Sequence, residues 1–188
     1  VEQAMATALG IIAAHPDKVD GIKISLLDKD KEIDMRRRLP SGVRMYTGDD
    51  FNYAELIAGD GFGKELFHGQ SDALLGIFDA IAPVASSALG ELAQGNLAKF
   101  HDLLGPTVPL SRHIFAAPTR FYKTGVVFMA WLNGHQKHFT MVGGQQSTRS
   151  LQHFAELFRL ADAASALQNP ELAVHRMKTL LALHGVEG

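Results

Sequence analysis

Three short apolar runs, each separated from the next by enough residues to hold a helix, constrain this chain most: Val19 to Ser25 (V-D-G-I-K-I-S), Val43 to Thr47 (V-R-M-Y-T) and Ala73 to Phe78 (A-L-L-G-I-F). Strands joined by crossovers of that length run parallel, because a hairpin returns within a few residues and a parallel return takes a dozen or more. The intervening stretches read as helices. Residues 2–14 are rich in alanine and aliphatics at helical spacing and end at His15-Pro16-Asp17. Asp28 is the expected N-cap of a helix over 29–38, in which acidic residues precede basic ones as the helix dipole favours, and Pro40-Ser41-Gly42 closes it. A short helix is expected over 52–58, ended by Gly59-Asp60-Gly61, and another from Pro83 to Gln94 with proline in its first turn. The expected fold class is therefore α/β with parallel strands.

From residue 96 the strand signal fades. Helices are expected over 97–104, 119–132, 150–167 and 170–183, the last two with apolar residues at i, i+3, i+4 and i+7, while 106–113 (P-T-V-P-L-S-R-H) reads as irregular. The expected division is an α/β part over 1–95 and a helical region over 96–188. Three strands make a small sheet for 188 residues, and Val1-Glu2-Gln3-Ala4-Met5 has the character of a helix interior, so the chain is expected to belong to something larger.

Composition narrows the function classes. A formal net charge of −2 supplies no general attraction to nucleic acid or anionic lipid, so neither is expected as a partner. The one basic run, Arg36-Arg37-Arg38, lies among Lys29, Asp30, Lys31, Glu32 and Asp34 and reads as a solvated helix face. With no cysteine, disulfides and thiolate chemistry are excluded, which fits a cytoplasmic protein. No apolar run approaches the roughly 18 residues that a membrane span needs.

The residue with the most chemical content is Lys23, in the middle of the first strand. Alternation puts Val19, Gly21, Lys23 and Ser25 on one face and Asp20, Ile22 and Ile24 on the other. Lysine is seldom buried unless paired or used, and in apolar surroundings an ammonium gives up its proton to become an amine that attacks carbonyls. The alternative is a lysine that snorkels to solvent at a strand end. Gly48 serves the turn after the second strand and gives substrate access to the backbone. Asp49 and Asp50 either orient a cation or substrate hydroxyl, or, through Asp50, cap the helix that follows. His135 and His138 have ligand-like i, i+3 spacing at a helix end without a nearby acidic third ligand. Arg112, Arg120, Tyr122 and Lys123 form a basic and aromatic cluster suited to an anion or to ion pairs and subunit contacts, and Phe115, Phe121, Phe128 and Trp131 read as packing.

Together, D20-G-I-K-I-S25, Y46-T-G-D-D50 and A73-L-L-G-I-F-D-A-I-A-P83 resemble the sixth, seventh and eighth strands of the dihydrodipicolinate synthase and N-acetylneuraminate lyase enzymes, and Phe121 to Gly134 resembles a helix of their C-terminal helical region. The wording of Tyr46 to Asp60 and of Leu132 to Gly144 looks closest to a mostly uncharacterised branch of that superfamily. The resemblance implies the C-terminal part of a (β/α)8 TIM barrel followed by a helical region. It aligns Lys23 with the Schiff-base lysine at the C-terminal end of the sixth strand, where such barrels carry catalytic groups. It implies Ser25, Gly48, Asp49 and Ile77 as substrate-binding residues, a 2-oxo acid or related carbonyl substrate, no metal or organic cofactor, and a homo-oligomer. The proton-relaying tyrosine and the carboxylate-binding loop of that family belong to earlier strands, expected upstream of Val1. Two other classes compete: a non-catalytic barrel piece acting in assembly, and metal-assisted hydrolysis through Asp49, Asp50 and the histidines.

Overall fold

A computed structural model describes residues 1–59 and 69–186. The chain is mixed α/β and divides into two compact units, residues 1–76 with 91–97, and residues 77–90 with 98–188.

The first unit alternates helix and strand: α1 (Glu2–Ala14), β1 (Gly21–Ile24), α2 (Lys29–Arg38), β2 (Arg44–Thr47), α3 (Tyr53–Ala58) and β3 (Asp72–Ala73). The three strands form one parallel sheet in the order β1-β2-β3, with Lys23 opposite Tyr46 and Tyr46 opposite Asp72. The expected strands are all present and parallel. The third, expected over 73–78, covers only Asp72–Ala73, and the helix after it starts at Phe78, since Gly76 interrupts the apolar run. Asp28 caps α2 as expected, accepting from the Lys31 N–H at 3.3 Å. The expected stop at Gly59-Asp60-Gly61 lies partly outside the described residues.

The core of this unit lies between the helices and one face of the sheet. Met5 and Ile12 of α1, Met35 and Leu39 at the end of α2, and Met45 of β2 pack together, with Ile22 and Ile24 of β1 against them. The face of α2 that turns inward is the stripe 32, 35, 36 and 39 at helical spacing, and two of its members are charged. Glu32 and Arg36 are each 1% exposed, so the basic run is not a solvated face throughout: Arg36 is buried, and Arg38 is held at the surface by Asp34 and Glu2.

The second unit is helical. Residues 78–93 form one helix, α4 (Phe78–Ala93), whose backbone leaves helical geometry at Ile81; Pro83 thus falls in the first turn of the longer segment, where its missing N–H costs nothing. There follow α5 (Leu97–Leu104), α6 (Thr107–Ile114), α7 (Tyr122–Leu132), α8 (Leu151–Ala163) and α9 (Pro170–Leu183), with 3-10 turns at Thr119–Phe121 and Val142–Thr148. The stretch expected to be irregular is α6: Pro106 stands at the N-cap and Pro109 in the first turn, both positions where proline is tolerated. Gly125 lets α7 approach α6 and α8, since a Cβ there would stand 3.0 Å from Ile114 and 3.2 Å from Leu157. Among the described residues, no helix is long and apolar enough to cross a membrane.

Candidate active site on the open face of the sheet

Helices α1 and α2 cover the face of the sheet that carries Ile22, Ile24 and Met45, and α3 is tied to α2 by Arg36, whose Nη1 donates to the Leu56 carbonyl at 3.1 Å. The opposite face carries Gly21, Lys23, Arg44, Tyr46 and Asp72 in register. Parallel sheets are normally covered on both sides. Here Lys23, Ser25, Arg44 and Asp72 are all exposed. The expectation of a buried strand sheltering the lysine is thereby corrected: alternation put Lys23 opposite Ile22 and Ile24 as found, but the described residues of the first unit leave that face exposed.

The immediate surroundings of Lys23 are small and close. Gly48, buried just beyond β2, donates its N–H to the Ile24 carbonyl at 2.7 Å. A Cβ at this position would collide with Ser25 Oγ, stand 2.5 Å from Lys23 Cε and 2.9 Å from the Ile24 carbonyl oxygen. Lys23 and Ser25, predicted as site members with Gly48, therefore both crowd the bare Cα of Gly48. Beside them the Tyr46 hydroxyl donates to Asp20 at 2.6 Å, which pushes the phenol above its usual range and keeps it protonated. Arg44 lies between Asp20 at 3.9 Å and Asp72 at 3.5 Å. The Tyr46–Asp20 pair was not singled out in the sequence, where the two residues are 26 apart and only the strand register brings them together.

Asp49 is 1% exposed and fully occupied. Its Oδ1 accepts from the N–H groups of Phe51 at 2.8 Å and Asn52 at 2.9 Å, and its Oδ2 from Asn52 Nδ2 at 2.8 Å. Asp49 thus closes the turn that leads into α3, accepting from the two amides just before the helix, while the N-cap residue Asn52 makes no side-chain cap hydrogen bond. Behind it the Thr47 hydroxyl accepts from the Asp49 N–H at 3.2 Å and donates to Glu32 Oε2 at 2.9 Å. The Ser71 hydroxyl donates to Glu32 Oε1 at 2.7 Å and accepts from Arg36 Nη1 at 3.1 Å. Burial pushes the Glu32 carboxyl up, against the pull of the Ser71 and Thr47 hydroxyls and Arg36. This network is invisible to hydrophobic periodicity, which reads charged residues as exposed.

The remaining predicted residues are elsewhere. Ile77 is fully buried in the helical unit. His135 and His138 follow the end of α7 rather than riding on a helix: His135 Nε2 lies 3.2 Å from Gln168 Nε2, and His138 Nδ1 accepts from the Thr140 N–H at 3.3 Å. Among the described residues no three His, Asp or Glu side chains converge as metal ligands. Both Asp49 oxygens are committed to hydrogen bonds. In the basic and aromatic cluster, Tyr122 stacks on Phe115 at 4.6 Å, Arg120 lies over Phe121 and Lys123 over Tyr122. Phe115 and Phe128 are core, as expected.

A parallel sheet with its helices packed on one side and a lysine on the other defines an α/β protein with its candidate chemistry on the uncovered face. The chain belongs to the DUF993 family, described as a protein of unknown function, whose family model matches residues 1–186. No curated protein matches it.

Proposed function

We propose that these residues are the lysine-bearing part of a (β/α)8 barrel of the dihydrodipicolinate synthase kind, acting as a class I aldolase-type lyase or synthase on a 2-oxo acid or related carbonyl compound. One observation carries the reading: the helices of the first unit pack against one face of the parallel sheet, and Lys23 stands on the other. In a closed barrel the helices ring the outside and the second face lines the interior, with catalytic groups at the C-terminal ends of strands. Lys23, one residue before the end of β1, has that address.

In the reaction, the unprotonated Lys23 Nζ adds to the carbonyl carbon and the carbinolamine loses water; the protonated imine then takes up the electron pair of the Cα–Cβ bond as a base removes the β-hydroxyl proton, giving an enamine and an aldehyde, or that of a Cα–H bond whose proton goes to a base, giving the enamine that attacks an aldehyde, and hydrolysis of the imine frees the lysine. Ser25 and the bare backbone of Gly48 border the amine and leave room for the substrate carbon. Tyr46 keeps its proton for Asp20 and serves to hold the strand pair beside Lys23. In a closed barrel of this kind the other strands of the barrel would close over this face. The reading carries with it a cytoplasmic homo-oligomer with a small carbonyl substrate.

Borohydride reduction of the protein with pyruvate and other 2-oxo acids, followed by peptide mass mapping, tests it. The expected result is a reduced adduct concentrated on the peptide with Lys23 and lost in Lys23→Arg. Adducts spread evenly over the exposed lysines would overturn it. The uncovered sheet face equally supports a non-catalytic role in assembly. That reading predicts no adduct on Lys23 but a stoichiometric complex by light scattering with whatever supplies the missing layer.

A further inference from the structure

The row of residues one step beyond the paired strands borders Lys23. Ile24 pairs with Thr47 and Thr47 with Ala73, so the next position of the sheet brings Ser25, Gly48 and Leu74 side by side. The ladder still holds there, since the Gly48 N–H donates to the Ile24 carbonyl at 2.7 Å and the Leu74 N–H to the Thr47 carbonyl at 3.1 Å.

Alternation sets the direction of Leu74. Ser71, which donates to Glu32 of α2 at 2.7 Å, and the buried Leu75 belong to the covered side of the sheet. Asp72 reaches Arg44 at 3.5 Å on the side that carries Lys23, and Leu74, two residues on, shares that side. It is 53% exposed. Every other side chain on this face of the three strands is polar, charged or the phenol of Tyr46, so among the described residues Leu74 is its one aliphatic group.

Between Ser25 and Leu74 the row has a gap at Gly48, and the stem of Lys23 leans into it, with Cε 2.5 Å from where a Cβ at 48 would stand. The amine is thus carried off β1 over the middle of the row, toward the strand that bears Leu74. Resting on the aldolase reading above, we propose that Leu74 is a specificity-determining residue, and that the site takes 2-oxo acids with a short hydrocarbon chain in preference to pyruvate or to acids with a charged chain. Once Nζ has added to C2 and water has left, the chain from C3 extends across Gly48 onto Leu74, where each methylene withdrawn from water is worth roughly fourfold in affinity. A charged chain end would lose hydration against the same leucine without gaining a partner.

A competition on the protein tests this. Cyanoborohydride is added with equimolar pyruvate, 2-oxopentanoate and 2-oxoglutarate, the last two equal in chain length. Hydride reduces each C2 imine to a secondary amine, and the three adducts on the Lys23 peptide differ in mass. Their ratios on exposed lysines such as Lys137 and Lys178 correct for the intrinsic reactivity of each ketone. After that correction 2-oxopentanoate is expected to lead on Lys23 by about tenfold, as two buried methylenes allow. Leu74→Ala should bring the three adducts within about threefold of one another, and Leu74→Arg should put 2-oxoglutarate first. Position 74 is exposed, so both variants should fold, which thermal midpoints verify. Trapping on Lys23 without the preference, or with the same preference in Leu74→Ala, overturns the inference and leaves the chemistry of Lys23 standing. No adduct of any of the three on Lys23 overturns the aldolase reading and this inference with it.

Discussion

His153 on α8 is a histidine held neutral by its neighbours. Its ring stacks on His113 of α6 with centroids 4.0 Å apart, and the His113 Nε2–H donates to the His153 carbonyl at 2.9 Å. Its own Nε2 is buried and has no hydrogen-bond partner. Burial, then the His113 ring and the Arg149 guanidinium, pull it from 6.5 down to about 4. Arg149 stays close because its two Nη groups donate to the carbonyls of Ala116, Ala117 and Pro118. The unfolded chain therefore binds a proton at His153 that the folded chain refuses between pH 6.5 and 4, so this residue's contribution is complete above 6.5 and is lost as pH falls through that window. Urea midpoints at pH 7 and pH 4.5 should show a smaller acid loss in His153→Phe than in the wild type. An equal loss in both would mean that other groups set the acid limit.

Among the elements, those whose burial follows from apolar spacing were legible. The bounds of α1, α2 and α9 match their expected ranges, as do the cap at Asp28 and the parallel alternation through β3. What the sequence concealed has three physical causes. Proline in the first turn of a helix looks like a breaker, which hid α6. A two-residue strand has no period to read, which stretched β3. A charged pair on an inward stripe looks like solvent-facing charge, which hid Glu32 and Arg36. That pair joins α2 to α3 and to Ser71 before β3, and it can be tested as a unit. Removing one partner leaves a buried charge, so Glu32→Leu and Arg36→Leu should each cost about 3–5 kcal/mol. The double variant should cost clearly less than the sum of the two, measured by urea denaturation. Strictly additive losses would show that the two side chains act separately.

For the whole molecule, the site was legible in part. That Lys23 and Ser25 share a face followed from strand alternation, whereas Gly48 entered as a turn residue and with the resemblance, and its approach to Lys23 comes from the pairing of β1 with β2. The exposure of that face did not follow, because alternation reports which side a residue is on and not what covers it. The account rests on the claim that Lys23 is reactive because of this position. The most direct check is the yield of borohydride-trapped pyruvate on Lys23 in Gly48→Ala against the wild type. A Cβ at 48 meets Lys23 Cε and the Ile24 backbone, an overpacking worth about 1–3 kcal/mol, which the fold can absorb while the lysine is displaced. The prediction is an adduct on Lys23 in the wild type that falls by about tenfold in the variant, the equivalent of 1.4 kcal/mol in its formation, with trapping on other lysines unchanged. An adduct on Lys23 that is absent from the wild type, or equal in the two proteins, would contradict it.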